Sequence, residues 1–406
     1  MRRHTLKERI KLISNILSRI RELENLNNSQ KAFFELLRAG LWENSPVHGE
    51  GLMVNGSSNV DWEEVYRLAT EQSVMGLVLA GIEKTNTNCT DNTNRLPQEL
   101  LLQWIGEVQV IEEQNKAMNE FVAKLIEKLR KENVYAILVK GQGIAQCYER
   151  PLWRTSGDVD LLLSNSNYEK AKKVLLPLAI DVETEYRTLK HLGITLKNGF
   201  VVELHGMLHS RLSNRIDRGV DEAQKDVFCG GHVRSWMNGR TSVFLPSPDN
   251  DVIFIFTHIL KHFYIEGIGL RQICDWCRLL WTYKDSLNHG LLESRIRKMG
   301  LMSEWKAFYH LASKYLGMPD YGSGLMVHDS RYDKKDDRIM EFVLETGNFG
   351  HNRERTASKS YMGGKLASTF RKLKDFGHHM RIFPIDSVKF FCYFAIDGIG
   401  GAMRGE

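Results

Sequence analysis

Apolar and polar positions follow two different rhythms along this chain, and the change of rhythm divides it. Between about 5 and 45, Ile10, Ile13, Ile16, Leu17 and Ile20 fall on one face at helical spacing, which predicts an amphipathic helix. Residues 44–59, rich in Gly, Ser and Asn, predict a loop, and helical spacing resumes near Trp62. A second loop is expected over 85–95, dense in Asn and Thr. A long helix follows from about 97 to 133, with Glu and Lys paired on the exposed face of its second half.

The period then shortens. Residues 134–139 read as a short strand ended by Lys140-Gly141-Gln142-Gly143, with a short helix reaching Tyr148. A loop containing Pro151 and Trp153 leads to a second strand, 158–163, and then to a helix over 168–176 stopped by Pro177. Two β-rich runs, 194–197 and 200–205, flank Asn198-Gly199 and predict a hairpin. A type I′ turn is expected there, with positive φ at both Asn198 and Gly199. Helical texture returns at Pro248 and continues to about Leu316; beyond Tyr321 the chain is glycine-rich and basic in places. The expectation is an α+β fold: a small mixed sheet with flanking helices over 131–245, embedded between helical N-terminal (1–130) and C-terminal (246–406) regions.

Composition narrows the function classes. The 406 residues exceed one ordinary domain of ~100–200 residues, so one large or two to three smaller domains are expected. A net charge of +5, from 55 basic and 50 acidic residues, is too mild to argue for nucleic-acid binding by itself. The Cys274-Asp-Trp-Cys277 pair lies in a helical pattern with no second pair to complete a zinc site, so buried thiols are expected. No signal peptide and no membrane-length apolar stretch is visible; the apolar tail over 388–402 is broken by Asp397 and glycines. These features predict a cytoplasmic protein with no membrane partner.

Carboxylates stand where packing does not want them. Alternate strand residues share a face, so Asp158 and Asp160 project together while Val159 and Leu161 face away. Like charges held side by side repel unless a cation or proton intervenes. Glu203, within the apolar run Val201-Val202-Glu203-Leu204, adds a third carboxylate. Sheet formation beside the pair would complete an oxygen-rich site suited to Mg²⁺, with Mn²⁺ as a substitute. Upstream, the Lys140-Gly141-Gln142-Gly143 turn between strand and helix suits close approach of backbone to phosphate.

A strand, a glycine turn, a short helix, Asp-x-Asp on the next strand and a later lone carboxylate resemble the polymerase-β-like nucleotidyltransferase superfamily. More narrowly, Leu138-Val139-Lys140-Gly141 and Arg154-Thr-Ser-Gly-Asp158-Val-Asp160-Leu-Leu162 are similar to a bacterial group of uncharacterised nucleotidyltransferases. Glu203-Leu-His205, the segment from His258 to Asp275 and Gly347-Asn-Phe-Gly350 extend the likeness over most of 131–350. The resemblance implies two-metal transfer of a nucleoside monophosphate from a triphosphate such as ATP to an acceptor. Asp158 and Asp160 would hold the cation that bridges the triphosphate, and Asp160 and Glu203 the one at the attacking hydroxyl. Gly141 would admit phosphate, with Lys140 or Arg154 neutralising it. Gln142 stands where the wider superfamily has Ser, which leaves that phosphate contact open.

The remaining candidates are weaker. His258, Lys261 and His262 share a helix and are expected either to line the nucleotide cleft or to be ordinary helix residues; the metalloprotease Glu is missing. Arg271 and Asp275 are spaced to pair across a helical turn, and His205 is a candidate partner behind Glu203. Trp276, Trp281 and Phe263 read as core, and the basic residues after Arg353 as a solvated face. The acceptor is left open, with a small molecule or a protein favoured over nucleic acid. The alternative is a non-catalytic nucleotide-binding or regulatory, antitoxin-like module with the same fold.

Overall fold

The computed structural model describes residues 26–43, 60–85, 96–320, 333–350 and 361–404. The helix expected around Ile10 to Ile20, the loops at 44–59 and 86–95, and Arg353, Arg355 and Lys359 lie outside the described residues. Three helices open the described chain: α1 Asn28–Leu41, α2 Trp62–Glu71 and α3 Met75–Thr85. Asn27 starts α1 through a capping box, in which Asn27 and Gln30 each bond the other's backbone N–H. Helix α4, Gln98–Lys131, runs 34 residues, about 50 Å, and ends on Lys128, Arg130 and Lys131, cations that favour a helix C-terminus.

A mixed seven-stranded sheet follows: β1 Ala136–Val139, β2 Asp158–Leu163, β3 Ala179–Val182, β4 His191–Leu196, β5 Val201–His205, β6 Val233–Asn238 and β7 Thr241–Pro246. Their order is β3-β4-β5-β2-β1-β7-β6. The central pairs β2–β5 and β1–β7 are parallel and the rest antiparallel. Short helices α5 Gly141–Ala145 and α6 Asn165–Leu175 connect the early strands, and α7 Asn214–Cys229 precedes β6. Helix α7 and the β6–β7 hairpin are elements the sequence reading did not place. Four helices then run to Leu316: α8 Pro248–Ile265, α9 Leu270–Thr282, α10 His289–Met299 and α11 Met302–Leu316. Three more, α12 Asp333–Thr346, α13 Tyr361–Ile382 and α14 Pro384–Arg404, end the chain. Among the described residues no helix is long and apolar enough to cross a membrane.

The sheet separates two cores because its side chains alternate. Val159, Leu161, Leu163, Val202 and Leu204 face α4 and α6, joining Val122, Leu125, Ile126 and Tyr168. Ile137, Val139 and Leu162 face the other way, into a larger core with α8 and α9. That core also holds the N-terminal helices: Phe33, Leu36, Trp104, Phe256, Trp276 and Trp305 are in one cluster. Trp42 on the N-terminal side donates its indole N–H to Leu316 O at 2.7 Å. Cys274 and Cys277 are fully buried in this core, where burial raises both thiols, as expected of packed cysteines.

The β4–β5 hairpin differs from the expected type I′ turn. Positive φ occurs at Gly199 (84°) and not at Asn198. Leu196 N–H bonds Phe200 O at 2.9 Å, and Gly199 N–H bonds Leu196 O at 2.9 Å. The loop is therefore the three residues Lys197-Asn198-Gly199, with glycine taking the single left-handed position. Pairing follows as Thr195↔Val201, Gly193↔Glu203 and His191↔His205.

Candidate active site

The edges of the site are set at the end of β1. Lys140 has φ 56° and ψ −146°, a conformation a non-glycine residue adopts only at a cost of about 1–3 kcal/mol. Gly141 continues the turn at φ 37°. The strained backbone sends the Lys140 side chain across the sheet, with Nζ 2.8 Å from Asp160 Oδ1.

Asp158 and Asp160 share the face of β2 that looks toward α8 and α9, as alternation requires. Parallel pairing sets Glu203 of β5 directly opposite Asp160. Carboxylate oxygens of Asp158, Asp160 and Glu203 all lie within 4.8 Å of one another, close enough to share a cation. The charge of Asp160, burial, and the charge of Glu203 together push Asp158 up to about 6. Burial disfavours charge on Lys140, yet Asp160 and Glu203 outweigh it and hold the ammonium above its usual pKa.

His205 is in direct contact with the carboxylates. Its Nε2 stands 2.7 Å from Asp160 Oδ1 and 3.3 Å from Glu203 Oε2. These contacts overcome burial and raise its pKa. His191, absent from the sequence reading, brings its own Nε2 to 3.3 Å from Glu203 Oε2. Burial works against the Glu203 carboxylate, but the hydrogen bonds of the two histidines dominate and hold its pKa well below the usual range. The missed signal was the loop length. With a two-residue Asn-Gly turn, His205 would pair with Leu192 and His191 would face the opposite core; one added loop residue reverses its face.

Two expected phosphate contacts are engaged elsewhere. The Gln142 amide points inward, 3.4 Å from Asn115 Oδ1 and 2.7 Å from Met118 Sδ, and the residue is 2% exposed. Arg154 forms a bidentate pair with Asp275, at 2.8 and 2.7 Å, and both are buried. Tyr148 donates its hydroxyl to the same Asp275 carboxylate at 2.7 Å. Arg154 thus holds Asp275 bidentately, while the charge of Asp275 also acts on Arg271 one helical turn away. Arg154 also donates to Thr155 O and Ser156 Oγ, so it braces the loop that delivers Asp158. With five residues, α5 is too short to add an appreciable helix dipole at the glycine turn.

Cations from α8 and α9 look onto the carboxylates. Arg271 donates to Thr155 O at 2.7 Å, and its charge lowers the Asp158 pKa. Burial lowers the pKa of Lys261, and the positive charge of Lys140 lowers it further. Burial likewise keeps His258 well below its usual value, with Lys140 adding to the effect. His262 packs edge-on against His258, ring centroids 4.3 Å apart, and bonds Glu266 at 2.8 Å. His258, Lys261 and His262 all sense the charge of Lys140, and His262 also bonds Glu266 at the end of its helix. His209 pairs with Asp221 at 2.7 Å, and Trp276 and Phe263 are core. Of the basic residues near the C-terminus, Lys374 pairs with Glu345 on an exposed surface.

A family model for uncharacterised nucleotidyltransferases matches residues 58–317, which include every residue of this site. Neither the curated proteins nor the solved structures yield a match. With its Asp-x-Asp strand, facing glutamate and matched span in agreement, the chain belongs to the uncharacterised nucleotidyltransferase family and is a transferase whose acceptor is unknown.

Proposed function

We propose that the protein transfers a nucleoside monophosphate from a nucleoside triphosphate to a hydroxyl or phosphate acceptor, with divalent cations at Asp158, Asp160 and Glu203. The observation that carries this reading is the convergence of three carboxylates within 4.8 Å on adjacent strands β2 and β5. The donor set fits the group: all oxygen, negatively charged and crowded enough that Asp158 is pushed up to about 6 without a cation. Mg²⁺, or Mn²⁺ in its place, would clamp the attacking and leaving oxygens and stabilise charge at phosphorus.

The chain's own residues divide the remaining work. Asp158 and Asp160 face the triphosphate side, while Asp160 and Glu203 face the acceptor. Lys140, Lys261 and Arg271 supply positive charge for the phosphates. In the reaction the acceptor oxygen bonds to the α-phosphorus, the bond from that phosphorus to the bridging oxygen breaks, pyrophosphate leaves, and a hydroxyl acceptor's proton passes to solvent. Arg154 and Asp275 position Asp158 from behind. The modest net charge of +5 favours a small-molecule or protein acceptor over nucleic acid.

The test is thermal stability with each of the four ribonucleoside triphosphates, with and without Mg²⁺, followed by pyrophosphate release. A ligand at ~100 times its dissociation constant adds ~2.7 kcal/mol, a visible shift. The expected result is a Mg²⁺-dependent shift and slow pyrophosphate release, both lost in Asp158→Asn. A shift without turnover in the presence of diverse acceptors would instead support a regulatory nucleotide-binding module. No shift with any nucleotide would overturn the reading.

A further inference from the structure

We propose that the acceptor side of this cleft is a nitrogen-containing cation seat, His191, His205 and Glu203, that takes a divalent transition metal such as Mn²⁺, Co²⁺ or Zn²⁺ in preference to Mg²⁺. The inference rests on the three-carboxylate reading and goes beyond it, because it changes both the ligand set and the metal preference.

Spacing is the first argument. Both imidazole Nε2 atoms stand 3.3 Å from the same oxygen, Glu203 Oε2. Ligands bound at ~2.0–2.1 Å around a tetrahedral metal lie about 3.3–3.4 Å from one another. In the metal-free protein these contacts are the hydrogen bonds of the two rings to Glu203, so one carboxylate oxygen already gathers both nitrogens. His205 Nε2 also bonds Asp160 Oδ1 at 2.7 Å, a contact that a metal ion at this seat would displace. Ligand atoms of His191, Glu203 and His205 all fall within 4.8 Å of one another.

Rigidity is the second. His191 and His205 are direct cross-strand partners on β4 and β5, and Glu203 lies two residues from His205 on the same face. Their rings are 4.8 Å apart and tilted by 42°, and both Nε2 atoms meet Glu203 Oε2. The His205 side chain is 8% exposed and that of His191 24%, so His191 is the more accessible of the two.

Donor chemistry sets the metal. Imidazole suits Zn²⁺ and other late first-row ions, and Mn²⁺, which favours oxygen, takes it at a mixed site, whereas Mg²⁺ keeps to oxygen and water. Glu203 belongs to both groups, so the two seats share one carboxylate. An all-oxygen seat at Asp158 and Asp160 for Mg²⁺ then adjoins a mixed nitrogen and oxygen seat for a softer ion.

The experiment loads the full chain, stripped with EDTA, with Mn²⁺ alone and records pulsed EPR. Directly bound imidazole imprints ¹⁴N modulation on the Mn²⁺ signal; a histidine that only hydrogen-bonds to a carboxylate ligand does not. The expected result is clear ¹⁴N modulation in the wild type, weakened in His191→Ala. Mn²⁺ affinity in that variant should fall about tenfold or more, with Mg²⁺ affinity little changed. His191 is the more open of the pair, and the wild-type spectrum needs no variant at all. Bound Mn²⁺ without ¹⁴N modulation would overturn this inference and leave the three-carboxylate site standing. Failure of the wild type to bind either Mn²⁺ or Mg²⁺ would overturn both.

Discussion

Replacing Lys140 with methionine tests how the site stays folded without metal. In the metal-free protein Asp160 Oδ1 is held by the Lys140 ammonium at 2.8 Å and by His205 Nε2 at 2.7 Å, and the side chains of Lys140 and Asp160 are 18% and 3% exposed. At an effective dielectric of about 20, the lysine contact is worth roughly 6 kcal/mol of gross attraction. Desolvating both ions cancels much of this, and Asp160 keeps His205 when the lysine is lost, so the expected loss is about 1–3 kcal/mol. Methionine keeps the chain's length and the same positive φ, so backbone strain is unchanged and the difference reports on charge. The assay is urea unfolding of wild type and Lys140→Met in EDTA, then in excess Mg²⁺. The variant should be less stable by that amount in EDTA, and Mg²⁺ should recover most of the deficit because a cation then replaces the missing ammonium. Equal stability in EDTA would refute the pairing argument. A deficit that Mg²⁺ leaves untouched would refute the claim that lysine and metal compete for the same carboxylates.

Three further outcomes follow from buried charge. Asp158 has its pKa raised to about 6, so its penalty is absent below the unfolded carboxylate range and grows as pH rises through 6. In EDTA, Asp158→Asn should therefore exceed wild type in stability by up to about 3 kcal/mol near pH 7, with the difference fading toward pH 4; a pH-independent difference would contradict the assignment. Asp275→Ala leaves the buried Arg154 guanidinium without its bidentate partner and should lower stability by about 3–5 kcal/mol in urea unfolding; a loss under 1 kcal/mol would mean the pair is dispensable. Glu304 is fully buried, and burial with the charge of Asp386 raises its carboxyl to about 8. This group should thus lower wild-type stability between about pH 4.5 and 8 by up to about 5 kcal/mol, and Glu304→Gln should flatten that slope.

What could be read from the sequence was what depends on neighbours along the chain. Asp158 and Asp160 share a face by strand alternation alone, and the long helix ending near Lys131 follows from spacing over many turns. The helix Asn214–Cys229 and the hairpin Val233–Pro246 were not placed. The hairpin's strand β6 alternates exposed and half-buried positions, so its apolar pattern is faint. Gln142 and Arg154 show the opposite limit. Their residue types suit phosphate, but Asn115, Met118 and Asp275, distant in sequence, claim their polar groups. No local pattern announces such partners.

The position of His191 shows where the boundary between legible and illegible falls. Asp160 and Glu203 meet because two strands pair in parallel, a relation the family pattern implies without any turn geometry. His191 reaches the same face only because the β4–β5 loop holds three residues, with Gly199 alone at positive φ. A strand's side-chain period is two, so a one-residue error in a loop inverts every side chain beyond it. The dipeptide Asn198-Gly199 suits both a two-residue and a three-residue loop. Burial separates them. In the observed register Leu192, Ile194 and Leu196 pack between β4 and helices α4 and α6, with Ile194 completely buried. The slipped register would turn that apolar set toward the carboxylates and put His191 into the core. The hydrophobic face of β4 thus chooses the loop, and the loop in turn brings the second imidazole to Glu203.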